Sequence, residues 1–169
     1  MKKIIIKTSV VLGLIIVLKA LYSIVSLAML KWFLYPMIPV IELFTYSNFE
    51  WIPELGFSAP SGIIIEKSCA GGNFFIICFA FLCFKLCKFQ RITDTLVRMI
   101  FLGICSYFIM IIANTARIIS AIKLADWEWT HTIIDPKTAH FVLGSILYIF
   151  TLLFLNHFIS SKHVTIQTT

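Results

Sequence analysis

The chain has 169 residues, of which 60% are hydrophobic and 13% are charged, and its formal net charge is +6. A soluble protein of this size could not bury so much apolar surface, so the composition predicts a single integral-membrane domain over residues 1–169. The basic residues flank apolar runs and form no stripe, which argues against nucleic acid as a partner. The partner that the composition does predict is membrane lipid.

Four apolar runs are candidates to cross a bilayer, which takes about 20 residues in a helix. They cover residues 8–30, 71–86, 96–119 and 139–159. Lys19 interrupts the first run, and we interpret it as a side chain that faces other helices or snorkels, with a functional role as the alternative. The sequence therefore predicts an all-α polytopic membrane protein, a bundle with four clear transmembrane helices.

A fifth apolar segment, residues 31–46, is interrupted by two prolines and a glutamate, and we interpret it as interfacial or re-entrant. Whether it spans or re-enters the membrane stays open. Residues 47–68 form a predicted loop, within which Gly62–Ile65 is a short β-like segment. Further on, the sequence predicts a basic turn at 88–98 and a polar loop at 123–138.

The flanks of these runs differ in charge. One set carries eight basic residues against one acid, and the other carries five against seven. Lysine and arginine concentrate on the cytoplasmic side of membrane proteins. The pattern therefore predicts that both termini are cytoplasmic and that loops 31–70 and 120–138 lie outside. The cytoplasmic set comprises Lys2, Lys3, Lys7, Lys85, Lys88, Arg91, Arg98 and Lys162.

The five cysteines form no regular framework. Their number is odd, which does not suit a disulfide scaffold, and four lie inside apolar runs, where they are expected to be small buried hydrophobes. Cys83 and Cys87 share a helix face, but no histidine or carboxylate joins them. We therefore predict neither a metal site nor a cofactor. The four cysteines in the runs are Cys78, Cys83, Cys87 and Cys105.

Cys69, Arg117 and His140 each lie where an apolar run meets a polar segment, at the predicted outer face. A thiolate is stabilised at a helix N-terminus, and a guanidinium can stabilise the oxyanion that forms when a carbonyl is attacked. An imidazole can take the thiol proton and return it to a leaving amine. Together they predict a cysteine nucleophile site, although each alone also has a structural interpretation, such as an Arg117 at headgroup level paired with Glu66.

Several neighbours support this site. Asn114 lies one helical turn before Arg117, and Gly144 and Tyr148 follow His140 on one helix face. The small residues Gly71 and Gly72 would let a substrate backbone approach closely, or would serve helix packing. The rival base is His131, in the polar loop.

Three sequence blocks resemble the exosortase/archaeosortase family, most closely the exosortase K subgroup. They are Glu66-Lys67-Ser68-Cys69-Ala70-Gly71-Gly72-Asn73-Phe74, Asn114-Thr115-Ala116-Arg117 and His140-Phe141-Val142-Leu143-Gly144. The resemblance covers about residues 31–155. Most relatives have more spans, and the position of Gly72 is often aliphatic in them.

The resemblance implies a multi-span cysteine transpeptidase of the bacterial inner membrane with its active site at the outer face. Cys69 would be the nucleophile, Arg117 the electrostatic partner and His140 the base, with Asn73, Asn114, Gly71 and Gly72 in support. Substrates would be exported proteins with a C-terminal sorting signal, which consists of a short motif, a transmembrane helix and a basic tail. The new carboxyl end would pass to an envelope acceptor.

Two other classes stay open at this point. One is a non-catalytic membrane adaptor or chaperone, in which the polar residues only satisfy one another. The other is a membrane thiol oxidoreductase, whose chemistry requires a pair of outer cysteines where this chain has one. The sequence does not reveal the sorting motif, the acceptor, the balance of hydrolysis and transfer, or the oligomeric state.

Overall fold

The computed structural model describes the backbone of residues 2–87, 92–125 and 136–165, and the side chains of 4–87, 93–124, 138 and 141–161. The predictions for residues 88–91, for most of the polar loop, for His131 and for the His140 side chain lie outside these residues. The helices are α1 Lys2–Ile24, α2 Leu27–Leu34, α3 Ile38–Thr45, α4 Gly72–Leu86, α5 Ile92–Ala125 and α6 Pro136–Thr165.

The prediction of an all-α polytopic membrane protein is confirmed. Within the described residues, five helical segments are long and apolar enough to cross a membrane. Many of their large side chains point outward, such as Ile24 at 79% and Ile112 at 71% exposed, as expected where lipid is the solvent. The five segments are Ile4–Ile24, Leu27–Thr45, Lys67–Leu86, Thr93–Leu124 and Phe141–Ser161.

The described chain divides into two compact units, Met1–Thr115 and Ala116–Thr169. The first contains α1 to α4, a small sheet and most of α5. The second contains the end of α5 and α6. The prediction of a single domain stays a prediction.

The sequence predicts one helix over the first apolar run, but the structure divides the run between two helices. The helix α1 ends at Ile24, and a new helix begins at Leu27. Between them, Ser26 is extended (φ −72°, ψ 159°), and its hydroxyl accepts a hydrogen bond of 3.4 Å from the Met29 N–H. Serine in this position satisfies a backbone donor of the first helical turn, so hydrophobicity continues across the break while the helix does not.

The two prolines of segment 31–46 do not end its helical path. Pro36 lies in the first turn of a 3₁₀ turn, Tyr35–Met37, and Pro39 in the first turn of α3. A missing N–H costs little there, because first-turn donors have no partner inside the helix. The path ends where Tyr46 takes a left-handed conformation (φ 53°) and its N–H bonds to the carbonyl of Glu42.

The predicted β-like segment is confirmed as part of a small antiparallel sheet. Its strands are β1 Glu50–Ile52, β2 Gly56–Ser58 and β3 Ile64–Ile65, in the order β1-β2-β3. Phe57 on β2 pairs with Trp51 on one side and with Ile65 on the other. The strand β3 leads directly into the segment that contains Cys69.

One predicted boundary is wrong: the basic turn does not extend to residue 98, because α5 already begins at Ile92. The helix α6 runs from Pro136 to Thr165, and its part that is apolar enough to cross a membrane, Phe141–Ser161, agrees with the predicted span over 139–159. Helices can continue past the apolar window where polar residues suit their ends. Asp94 lies in the first turn of α5, where a negative charge interacts favourably with the helix dipole, and proline is well suited to open α6.

The helices α1 and α4 are antiparallel neighbours. At one end, the Nζ of Lys7 lies 5.2 Å from the centre of the Phe84 ring, and at the other the Tyr22 hydroxyl donates to the Lys67 carbonyl at 3.1 Å. The end of α1 therefore meets the start of α4, and residues 25–66 leave and return at that end. This path agrees with the interfacial or re-entrant interpretation of segment 31–46, which stays a prediction.

The core of the first unit is apolar and includes most of the cysteines. Cys78, Cys83 and Cys87 are free and buried, as predicted, whereas the free Cys105 is only half-buried. The largest side chains excluded from solvent in this unit are Phe74, Leu34, Met37, Ile41, Ile65 and Met110.

We expect Gly72→Ala to destabilise the protein. A Cβ at this position would lie 2.2 Å from Cε2 of the Tyr22 ring, so α1 and α4 would have to move apart. Overpacking of this kind costs about 1–3 kcal/mol. The measurement is thermal unfolding in detergent micelles.

The matched control is Gly103→Ala in α5, where the new Cβ would meet Phe79 at an ordinary 3.7 Å. There alanine should be neutral or stabilising by up to about 1 kcal/mol, because it favours the helix. Equal stability of the two variants would contradict the close packing of Tyr22 on Gly72.

Candidate functional site

Cys69 lies in a short turn before α4, not in the helix itself. It is the last residue of a 3₁₀ turn, Lys67–Cys69, and its N–H bonds to the carbonyl of Glu66 at 2.9 Å. The helix α4 has Gly71 as its N-cap, so Cys69 lies two residues before the cap. Cys69 is free and half-buried.

Two side chains next to Cys69 form a short hydrogen-bonded chain with it. The Ser68 hydroxyl donates to Glu66 Oε1 at 2.8 Å, and its oxygen lies 3.7 Å from the Cys69 sulfur. Because the Ser68 proton is used on Glu66, the serine oxygen is available to accept from the thiol. This local arrangement orients the Cys69 side chain towards Ser68.

A buried amide fixes the backbone of the same turn. Asn114 of α5 is completely buried, and its Nδ2 donates to the Cys69 carbonyl at 2.7 Å. The same nitrogen lies 3.5 Å from the Met37 sulfur. The amide satisfies a carbonyl that a helix would otherwise satisfy, and a supporting role of Asn114 in catalysis stays a prediction.

Gly71 permits this approach. It has a left-handed conformation (φ 73°, ψ 6°), and a Cβ there would lie 2.9 Å from both Asn114 Cγ and Met110 Sδ. Only glycine tolerates both the conformation and the crowding without strain. Of the two roles considered for Gly71 and Gly72, the packing role is the one seen within the first unit.

The Cys69 turn is also attached to the end of α1. The Lys67 ammonium donates to the carbonyls of Ser23 at 3.1 Å and Val25 at 2.6 Å, and lies over the Tyr22 ring at 5.5 Å. Lysine is favourable at a helix C-terminus, where carbonyls lack partners. A second link joins the Lys19 ammonium to Asn73 Oδ1, so the structural interpretation of Lys19 has a named partner.

In the second unit, Arg117 packs against α6. One of its Nη atoms donates to the Tyr148 hydroxyl at 3.2 Å, and a Cβ on Gly144 would lie 2.5 Å from its Nε. Gly144 and Tyr148 follow His140 at intervals of four residues, so Arg117 contacts the face of α6 on which the His140 backbone lies. The structural interpretation that pairs Arg117 with Glu66 concerns both units and stays a prediction.

The structure thus brings together two groups of predicted residues. In the first unit, Asn114, Gly71 and Cys69 are in contact; in the second, Arg117 lies on Gly144. The convergence of Cys69, Arg117 and His140 stays a prediction. Among the described residues, no group of three or more histidine, cysteine, aspartate or glutamate side chains could hold a metal ion.

Sequence reasoning missed three contributors: Ser68 as the neighbour of the thiol, Tyr22 as the packing partner of Gly72, and Lys67 as the cap of α1. The only sequence signal for the role of Ser68 was its position next to Cys69. The other two depend on which helix packs against α4, which no local pattern reveals.

Comparison with known proteins gives no assignment: no family model, no curated protein and no solved structure matches this chain.

We expect Asn114→Ala to disturb the Cys69 turn. It would leave the Cys69 carbonyl without its buried donor, which costs about 1–3 kcal/mol. The variant should unfold at lower temperature, and the alkylation rate of Cys69 by a maleimide should change. The measurement uses a Cys105→Ala background, since Cys105 is the other thiol that is not buried.

Ser106→Ala is the control, because this buried serine is on the same helix and its hydroxyl bonds to the carbonyl of Leu102 one turn earlier. Its Cys69 alkylation rate should match that of the parent. If Asn114→Ala also left the rate unchanged, the amide would not be what positions the turn.

Proposed function

We propose that the protein is a membrane-embedded cysteine transpeptidase of the exosortase kind. It cleaves C-terminal sorting signals of exported proteins and transfers the new carboxyl end to an envelope acceptor. The observation that carries this proposal is the Cys69 turn: a half-buried free thiol whose backbone is held by the fully buried Asn114 amide. Rigid support of one reactive side chain is what a nucleophile requires.

A second observation supports the roles of Arg117 and His140. Arg117 is held on the face of α6 that carries the His140 backbone, with its guanidinium on Tyr148. A cation of α5 that is held against the helix carrying the base suits the handling of an oxyanion and a proton. In the proposal these groups act on the carbonyl that Cys69 attacks.

The proposed reaction balances with the three residues and no cofactor. The Cys69 sulfur attacks the scissile carbonyl, and its proton passes to His140. Arg117 stabilises the negative charge on the carbonyl oxygen. The C–N bond then breaks, His140 protonates the departing amine, and a thioester remains. An acceptor amine, or water, attacks the thioester and releases the thiol.

The proposal places the site at the outer face of the bacterial inner membrane, with both termini in the cytoplasm. Its support is the eight-to-five distribution of basic residues between the two sets of flanks. The meeting of the end of α1 with the start of α4 is consistent with it, since antiparallel spans bring these two ends to one face.

We expect Cys69→Ala to abolish processing of a substrate with a sorting signal and Cys69→Ser to retain at most a trace, because serine lacks a comparably nucleophilic anion. The probe is an exported reporter protein with a randomised segment, an apolar helix and a basic tail at its C-terminus. Processing by the parent enzyme selects the substrate, and gel mobility measures cleavage.

In the same assay, His140→Ala should reduce processing strongly, while His157→Ala, on the same helix, should not. A loss with His131→Ala and none with His140→Ala would assign the base to His131.

Processing by Cys69→Ala at the wild-type rate would refute the proposal that the protein is a cysteine transpeptidase. If the parent enzyme selects no substrate and an impermeant maleimide labels Cys69 from outside only slowly, the protein is an adaptor.

Gly144→Ala should impair processing without unfolding the protein. The new Cβ would displace Arg117, whose long side chain can move aside, so the charge would no longer lie where the oxyanion forms. We expect a loss of at least about tenfold in rate, equivalent to roughly 1.4 kcal/mol. Ser145→Ala is the control, since among the described residues that hydroxyl bonds within its own helix, at Phe141. Equal rates for both variants would remove Arg117 from the proposed mechanism.

A further inference from the structure

The strand β3 is an edge strand that leads directly to Cys69. Its residues pair with β2 on one side, and in the part of the chain that the structure describes no strand lies on its other side. Edge strands present unpaired backbone groups to any extended chain that comes alongside. Here the strand ends at Ile65, four residues before Cys69.

The hydrogen-bond pattern shows which groups this edge presents. The Ala59 N–H donates to the Ile63 carbonyl at 2.9 Å, so these two residues form a bonded pair. Bonded and non-bonded pairs alternate along an antiparallel ladder, and the next pair is Ser58 with Ile64. The N–H and C=O of Ile64 therefore point away from β2, and this residue is 43% exposed.

Glu66 continues the same edge. Its backbone is still extended (φ −102°, ψ −174°), so its N–H lies on the side of the Ile64 groups. The Glu66 carbonyl is already used by the Cys69 N–H. The edge thus offers two donors and one acceptor, followed at once by the turn with the nucleophile.

We propose that the segment of the substrate just before its membrane helix binds as an added strand along β3. This inference rests on the proposed function and names how the site recognises its substrate: through the backbone of an extended peptide. Strand addition is a common mode of peptide recognition, in which main-chain bonds give affinity and tolerate varied side chains.

The distance suits this mode. Two extended residues and a 3₁₀ turn separate Ile64 from Cys69, which corresponds to roughly 12 Å of chain at about 3.3 and 2.0 Å per residue. A substrate residue paired with Ile64 would therefore lie about four extended residues from the carbonyl that Cys69 attacks. A short motif before a membrane helix has this length.

The test removes the outward donor without touching the sheet. Ile64→Pro eliminates the Ile64 N–H, which β2 does not use, and the residue before it is already outside helix. We expect at least a tenfold loss of processing of the selected reporter, with the alkylation rate of Cys69 unchanged. The matched control is Trp51→Pro on the opposite edge, where the pair with Phe57 is likewise non-bonded, and processing should continue.

A second measurement does not depend on the folding of a proline variant. In a Cys69→Ala background, p-benzoylphenylalanine in place of Ile64 should crosslink to the randomised segment of the reporter, and in place of Trp51 it should not. Crosslinking from position 51 alone, or from neither position, would overturn the proposal. So would full processing by Ile64→Pro.

The two proposals fail differently. If the parent enzyme processes the reporter and Cys69→Ala does not, while Ile64→Pro processes it normally, strand addition is wrong and the transpeptidase stands. If Cys69→Ala processes the reporter like the parent, the proposed function itself is wrong.

Discussion

The hydrogen bond from the buried Asn114 amide to the Cys69 carbonyl is the constraint on which the local structure around the thiol depends. In a region with little water, an unsatisfied carbonyl is costly, so the turn before α4 needs a donor from another element. The approach of the amide in turn requires Gly71 to lack a side chain. This one hydrogen bond explains why residue 71 is a glycine, why residue 114 is an asparagine and how the Cys69 turn is held.

The attachment of this turn to α1 has a consequence for the path of the chain. Lys67 bonds to carbonyls at the end of α1, Tyr22 bonds back to Lys67, and Tyr22 packs on Gly72. The intervening residues 25–66 must therefore begin and end at the same end of the α1–α4 pair. Met37, in the first third of that segment, contacts the same Asn114 that holds Cys69, so this part of the segment lies near that end.

Much of the fold was predictable because hydrophobicity and length decide it. The spans, the β-like segment before Cys69 and the three buried cysteines follow from where the apolar runs and the turn residues lie along the chain. The break at Ser26 was missed because apolar residues continue on both sides of it. A single serine in such a run does not show that it caps a new helix until its backbone conformation is known. Pro36 and Pro39 suggested a break in the helical path that the structure does not have. A proline costs little free energy when it falls in the first turn of a helix, and both of these do.

The site was predictable in its residue types and less so in its contacts. Helical spacing placed Asn114 on the face of Arg117 and Gly144 on the face of His140. It did not predict that Asn114 bonds to the Cys69 carbonyl or that Gly144 lies against Arg117. The role of Lys67 could not be inferred, because a lysine beside a cysteine suggests a charge for the thiol. Its ammonium is instead committed to the end of α1.

That commitment bears on the chemistry required of Arg117. The side chains nearest the thiol in sequence do not supply a positive charge to it: Lys67 bonds to Ser23 and Val25, and the Ser68 proton is given to the Glu66 carboxylate. A sulfur anion would need the Ser68 proton back or a donor from elsewhere, because an anion in such a setting must be hydrogen-bonded or paired. In the proposed reaction, therefore, the cation has to come from outside the Cys69 turn, and a guanidinium that keeps its charge at any working pH is the side chain suited to that task.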